Sequence, residues 1–475
     1  MDQGTQSLSG RIAEILNPAI FYLLLVIVAL AAIPYGSAEP WWRALCECLI
    51  FVLTMLWAVE GFLVGRWFVR QHRILTPLLA LLAFMLVQMK LPLRHVAAIG
   101  EVGGTWMPIS FSTYNTRLVA QLLLALICSM ALLIRYTDSR RRLTMLAYVV
   151  IGIGLTSTVF GLVRKALQTA QGFVLPALPP DDGTVLRGVG FAQFINHNHF
   201  AFLAEMSLGL VLGLMLARPI RFTRLALGLA LAIPMWIAIV YSNSRAGLGS
   251  MVGQVLFVTF AVFIAGPSRE LFSERGRQTQ PRRLAPFLLT RAILVVSFLV
   301  VMVVGIGWVG GERLATHLDS ASSEVGIPES DKYTRTYRST IWPMTWQMFK
   351  DHPLAGTGFG AYWIAITKCH HGSGDMTPQE AHNDYLEFLA SGGLIAVVVL
   401  IGFVVLCARE LTSAFRQSDA GLRALRLGAL AGIFAVAIHS VVDFGLHIVI
   451  NSLVFMILIV IASVKIERPA TPQRT

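Results

Sequence analysis

Three side chains stand out by type and setting: Arg245 in SNSRAGL, Arg338 in YRSTIW and His382 in AHNDYLEFLASGG. Arginine stays charged at any working pH and offers a planar fork to phosphate oxygens, and an uncharged imidazole can accept a proton. Two arginines and a histidine therefore form a plausible reaction centre, with Arg245 the first candidate for an anion site. Each also has a plainer reading. Arg245, at the end of an apolar run, could snorkel to lipid phosphates. Arg338, in a polar loop, could simply be solvated, and His382 could be satisfied by Asp384 or Glu380.

Other polar groups gather around these three in the sequence. Asn383 and Tyr385 flank His382 and could bind sugar hydroxyls. The run FINHNHF places Asn196, His197, Asn198 and His199 at the mouth of another apolar segment, where capping that helix is the alternative to binding. The Cys369, His370, His371 cluster, with Asp375 and His382 nearby, lacks ligand spacing such as CxxC or HxxxH, so no metal site is expected. Glu47, Glu60, Glu205 and Asp443 lie in or near apolar runs and could relay protons, although hydrogen bonding inside a helix bundle is the commoner reason for such residues.

The element that must position His382 carries strong local signals. TPQEAHNDYLEFLASGG predicts a helix with Thr377 as N-cap, Pro378 in the first position, Glu380 closing a capping box and Gly392 or Gly393 as the stop. That start puts His382 just beyond the first turn, near the positive end of the helix dipole, which disfavours a charged imidazole. The helix falls in the longest interval without a membrane-length apolar run, about Gly310 to Gly393.

Composition fixes the class. In 475 residues, 56% are hydrophobic and only 13% charged, and the mean hydropathy is +0.68, far outside the soluble globular range. The expected fold is all-α and polytopic. A net charge of +12 would suggest nucleic acid in a soluble protein, but here the arginines sit in short clusters between apolar runs, so no nucleic-acid partner is expected. The five cysteines are odd in number and mostly lie in apolar runs, which gives no disulfide framework. The N-terminal segment lacks a cleavage pattern, so the first apolar run is expected to be retained as a spanning helix.

About 12 runs approach the roughly 20 residues a spanning helix needs. They begin near residues 16, 44, 74, 116, 143, 197, 224, 246, 292, 393, 426 and 447. Only LHI, beside the polar pair His439 and Asp443, separates the last two. Numbering the connections alternately puts most of the 38 lysines and arginines on one side, which is then cytoplasmic and holds both termini. The other side holds Trp41, Trp42 and Trp106 as interfacial anchors, together with the long loop. The chain divides into helices 1–5 (1–185), helices 6–9 (186–309), a large, partly helical loop between helices 9 and 10 (310–393), and the C-terminal helices with a tail (394–475). A transporter or flippase for lipid-linked saccharides is the rival reading. It would use the same arginines but would not need a base on an ordered loop helix, and no inverted repeat is visible in the sequence.

SNSRAGL, YRSTIW, HPLAGTGFGAYW and AHNDYLEFLASGGLIAVVVL, in this order, resemble the O-antigen ligase and polymerase superfamily over about Arg187 to Val399. The first ~180 residues are similar only in hydropathy. The resemblance implies a bacterial inner-membrane glycosyltransferase with its active site facing the periplasm. Such an enzyme takes glycan from undecaprenyl diphosphate without a metal or nucleotide sugar, and passes it to a glycan or lipid A core acceptor. It maps the family's arginines onto Arg245 and Arg338 and its histidine onto His382. Arg187, Asn198, His199, Asn383 and Tyr385 are then substrate-binding candidates, and membrane lipids are surrounding partners. FINHNHFAFLAEM is more similar to the exopolysaccharide-associated branch than to the enteric ligases.

Overall fold

The computed structural model describes residues 8–65, 71–97, 104–167, 172–173, 175–176, 190–216, 222–264, 338–369 and 378–466. Eight described helices are long and apolar enough to cross a membrane: α1 (Leu8–Ala32), α2 (Pro40–Val64), α4 (Thr113–Tyr136), α5 (Arg140–Leu167), α6 (His197–Leu216), α7 (Phe222–Tyr241), α11 (Asp384–Gln417) and α12 (Ala420–His439). Shorter apolar helices are α3 (Leu75–Lys90), α8 (Arg245–Ile264) and α13 (Val449–Ser463). Two further helices, α9 (Arg338–Asp351) and α10 (Tyr362–Ala365), belong to the long connection before α11. The fold is an all-α multi-pass membrane bundle, with strands, among the described residues, confined to two short hairpins, Arg94–Ala97 with Gly104–Met107 and Gly172–Phe173 with Leu175–Pro176. The apolar run expected near residue 292, much of the Gly310 to Gly393 loop, and Arg187 lie outside the described residues.

Between apolar helices in lipid there is little hydrophobic drive, so close backbone approach through small residues has to supply the packing. α6 is the central element, with 83% of its apolar window buried against 22% for α2. Its Gly209 and Gly213 face Gly428 and Gly432 of α12. A Cβ on Gly209 would lie 2.5 Å from the Gly432 amide, and one on Gly213 would lie 2.6 Å from the Ala424 carbonyl. The two backbones therefore touch along one turn of each helix. At the end of the bundle where α5 and α12 begin, polar ties finish the packing. Glu60 accepts from Asn17 at 3.0 Å and from the Tyr136 hydroxyl, and buried Arg426 donates to the carbonyls of Ala462 and Val464 at 2.7 and 2.6 Å.

At the opposite end the helix carrying the histidine region does not follow the expected syntax. It begins at Asp384 with Asn383 as N-cap, whose side chain accepts from the Leu386 amide at 3.0 Å, and Pro378 to Asn383 are not helical. Thr377 lies outside the described residues, and Glu380 closes no capping box. Its carboxylate is drawn instead to His447, while Glu387 in the first turn reaches back to the Ala381 amide at 2.8 Å. Nor does the helix stop at Gly392 or Gly393. It bends at Gly393 (φ 63°, ψ −166°) and continues to Gln417. The amides released by the bend are taken up by the HPLAGTGFG loop, Leu394 donating to Pro353 at 2.9 Å and Ile395 to Leu354 at 3.1 Å. Any Cβ at Gly393 would strike the Leu354 carbonyl, and the positive φ itself favours glycine. The stop signal was thus a bend, because neighbouring backbone replaced the lost helical bonds.

Candidate active site

The end of the bundle where α6, α8, α9 and α11 begin collects the candidate residues around one carboxylate. Asp443, in the connection between α12 and α13, is fully buried. Arg338 Nη2, at the first residue of α9, lies 4.0 Å from Asp443 Oδ2. His382 Nδ1 lies 3.4 Å from Asp443 Oδ1, an ion-pair distance longer than a good hydrogen bond. Asn198, in the first turn of α6, donates from Nδ2 to Asp443 Oδ2. Three residues drawn from 338, 382 and 198 thus meet on a fourth. The Phe444 amide also donates to Asp443 Oδ1 at 2.9 Å.

Burial acts to raise the Asp443 pKa, but the approach of His382, followed by the charges of His439 and His199, holds it well below the usual carboxylate range. The neighbouring imidazoles therefore favour the ionised form of the aspartate. Phe444, next in the chain, is ringed edge-on by three imidazoles, with centroids 4.9 Å from His382, 5.0 Å from His199 and 5.7 Å from His447.

His382 itself precedes the N-cap and takes a positive φ of 50°, so it stands at the helix entrance instead of beyond the first turn. Its chain is pinned on the far side: the Asp384 amide donates to the Ser440 carbonyl at 2.9 Å, and the Ser440 hydroxyl donates to Asp384 Oδ2 at 2.7 Å. Trp342 of α9 donates to the Ala381 carbonyl at 3.1 Å. His382 is 37% exposed and Arg338 45%, while Asp443 beneath them is sealed, so two solvent-accessible groups stand on a buried carboxylate.

The remaining candidates separate by what they touch. Asn383 uses its side-chain oxygen to cap α11, and the Tyr385 hydroxyl donates to the Ala437 carbonyl at 2.8 Å. His199 is buried, and its carbonyl accepts from Asn451 at 3.1 Å. Arg245 is exposed at the first residue of α8, and two residues later Gly247 packs so closely on Ala201 of α6 that a Cβ would lie 2.8 Å from it. Arg245 therefore opens at the same end as Asn198. His370, His371 and Asp375 of the cysteine–histidine cluster lie outside the described residues.

A second group lies beside the first. His447 sits 3.3 Å from Glu380, 3.5 Å from Asp384 and 3.9 Å from Glu387. Burial disfavours the His447 charge, but Glu380 and Glu387, with Asp384 behind them, carry its pKa well above the ordinary histidine value. Burial likewise acts to raise Glu380, yet His447 holds it below its usual value. Sequence reasoning noticed Asp443 as a polar residue between two apolar runs that could relay protons or hydrogen-bond inside the bundle, and did not single out Phe444, His447 or Glu387. The available signal was the density of ionisable residues in HSVVDFGLHIVIN, a connection too short to be solvated like a surface loop.

Residues 229–401, from within α7 to within α11, match the family model described as O-antigen ligase. That segment is similar to the O-antigen ligase family. No curated protein matches the chain. The O-antigen ligase segment contains Arg245, Arg338 and His382, whereas Asn198 and Asp443 lie on either side of it. The match covers 173 of the 475 residues, and with the apolar helices around it the chain is a multi-pass membrane protein carrying a segment similar to O-antigen ligases.

Proposed function

We propose that the chain transfers a glycan from undecaprenyl diphosphate to an acceptor hydroxyl, with inversion at the anomeric carbon, at the periplasmic face of a bacterial inner membrane. The observation that carries this reading is the meeting of Arg338, His382 and Asn198 on the buried Asp443. With Nδ1 turned toward Asp443, the other ring nitrogen of His382 is free to take the acceptor proton. The aspartate then stabilises the imidazolium that forms. The acceptor oxygen attacks the anomeric carbon as the bond from that carbon to the diphosphate oxygen breaks, and undecaprenyl diphosphate leaves as the anion. Arg338 and Arg245 supply the fixed cations that such a leaving group requires, with bidentate geometry that lysine would lack.

The test is reconstitution of the purified protein in proteoliposomes with an undecaprenyl-diphosphate glycan and candidate acceptors, followed by mass analysis. A new glycosidic product supports the reading. Transfer to lipid A core identifies a ligase, and lengthening of the lipid-linked glycan identifies a polymerase. Movement of intact donor across the bilayer with no new bond would mean transport and would overturn the proposal.

A further inference from the structure

Below the candidate site, inside the bundle, Glu205 of α6 and His439, the last residue of α12, form a pair with Nδ1 to Oε1 at 2.8 Å, and both side chains are fully buried. Glu205 Oε2 and His439 Nε2 make no hydrogen bond among the described residues, although Ser250 of α8 faces the carboxylate. A buried pair with idle polar atoms is a poor source of stability. Desolvation offsets much of the attraction, and well-packed apolar residues of the same volume commonly do as well or better. Its placement points to another role.

Its contacts lead to the Asp443 turn. The His439 carbonyl accepts from the Val442 amide at 3.0 Å, and the next residue, Ser440, is the one clamped to Asp384. The His439 ring stacks on Phe202 with centroids 4.0 Å apart, and Phe202 in turn abuts Gly445 so closely that no Cβ fits there. Asn451 donates to the carbonyls of both Gly445 and His199 at 3.1 Å. On α6, Glu205 lies seven residues after Asn198, about 10 Å along the helix, so Glu205–His439 and Asn198–Asp443 are two successive ties from α6, the first to the end of α12 and the second to the turn that follows it.

We propose that Glu205 and His439 are positioning residues, which fix the imidazole on Phe202 and so hold the 439–445 turn where Asp443 meets His382 and Arg338. The inference rests on the glycosyl-transfer reading, which assigns Asp443 to the site. The pair touches no substrate, so it acts on turnover and not on donor binding.

The experiment compares full-length wild type, the double variant Glu205→Met/His439→Phe, and Glu205→Gln in proteoliposomes. It reads kcat, KM for the lipid-linked donor, and the melting temperature. The double variant is expected to melt at or above the wild-type temperature while kcat falls about tenfold or more, because a small misplacement of catalytic groups is that costly. KM should stay within about threefold, since the arginines are untouched. Glu205→Gln, whose carboxamide oxygen still accepts from His439, should recover most of the loss. Undiminished kcat in a folded double variant overturns the inference, as does a loss of kcat that merely tracks the loss of folded protein. Absence of transfer by wild type would instead count against the glycosyl-transfer reading itself.

Discussion

At the scale of single residues, Asp443 decides whether the candidate centre is one site or several unrelated side chains. It is sealed from water, it receives Asn198, and it lies within 4.0 Å of both Arg338 and His382. Asp443→Asn keeps the volume and removes the charge that would stabilise a protonated His382. Transfer should fall by about 10²-fold, the usual scale for a lost acid–base contribution, while donor binding persists. Initial rates and donor binding measured on the same folded sample check this, and an unimpaired rate would detach Asp443 from the mechanism. The arginines and His382 were legible from type and motif. Asp443 was not, because an aspartate between apolar runs looks the same in sequence whether it caps a helix or anchors a catalytic base.

At the scale of elements, the segment before α11 shows how two helix-start signals compete. TPQE and ND begin six residues apart, and local chemistry favours both. The second wins because Glu380 is claimed by His447 from a connection more than sixty residues away, a pairing that no local pattern contains. The HPLAGTGFG motif and Gly393 were similarly visible as turn and stop signals. Their purpose, to repair the bent backbone of α11, was visible only in three dimensions. The His447 group gives a signed prediction. Its folded-state pKa lies above the unfolded value of about 6.5, so its contribution to stability is fully present below that pH and is lost as the pH rises through the folded value. The melting temperature of wild type should therefore decline on the alkaline side more steeply than that of His447→Gln, the two converging as pH rises. Parallel melting curves across pH 6 to 10 would show that the carboxylates do not hold a charged imidazole.

At the scale of the molecule, hydropathy announced the spans because a bilayer imposes length and composition on every helix crossing it. The partners of those spans were hidden. The seating of α6 on α12 depends on glycines at four-residue spacing, ordinary in any apolar run until the facing helix is known. The proposed orientation follows from charge: in a cysteine-free background, Thr367→Cys should react with an impermeant thiol reagent from the periplasm and Gln417→Cys should not. The reverse pattern would turn the site toward the cytoplasm. Orientation, packing and the Asp443 centre all serve one claim, that His382 takes the acceptor proton. The most direct measurement is single-turnover glycan transfer by His382→Ala against wild type in the same proteoliposomes, with the amount of bound lipid-linked donor determined in parallel. The account predicts that donor binding is retained and that transfer falls by about 10²-fold or more. Transfer at the wild-type rate by a folded, donor-loaded His382→Ala would contradict it.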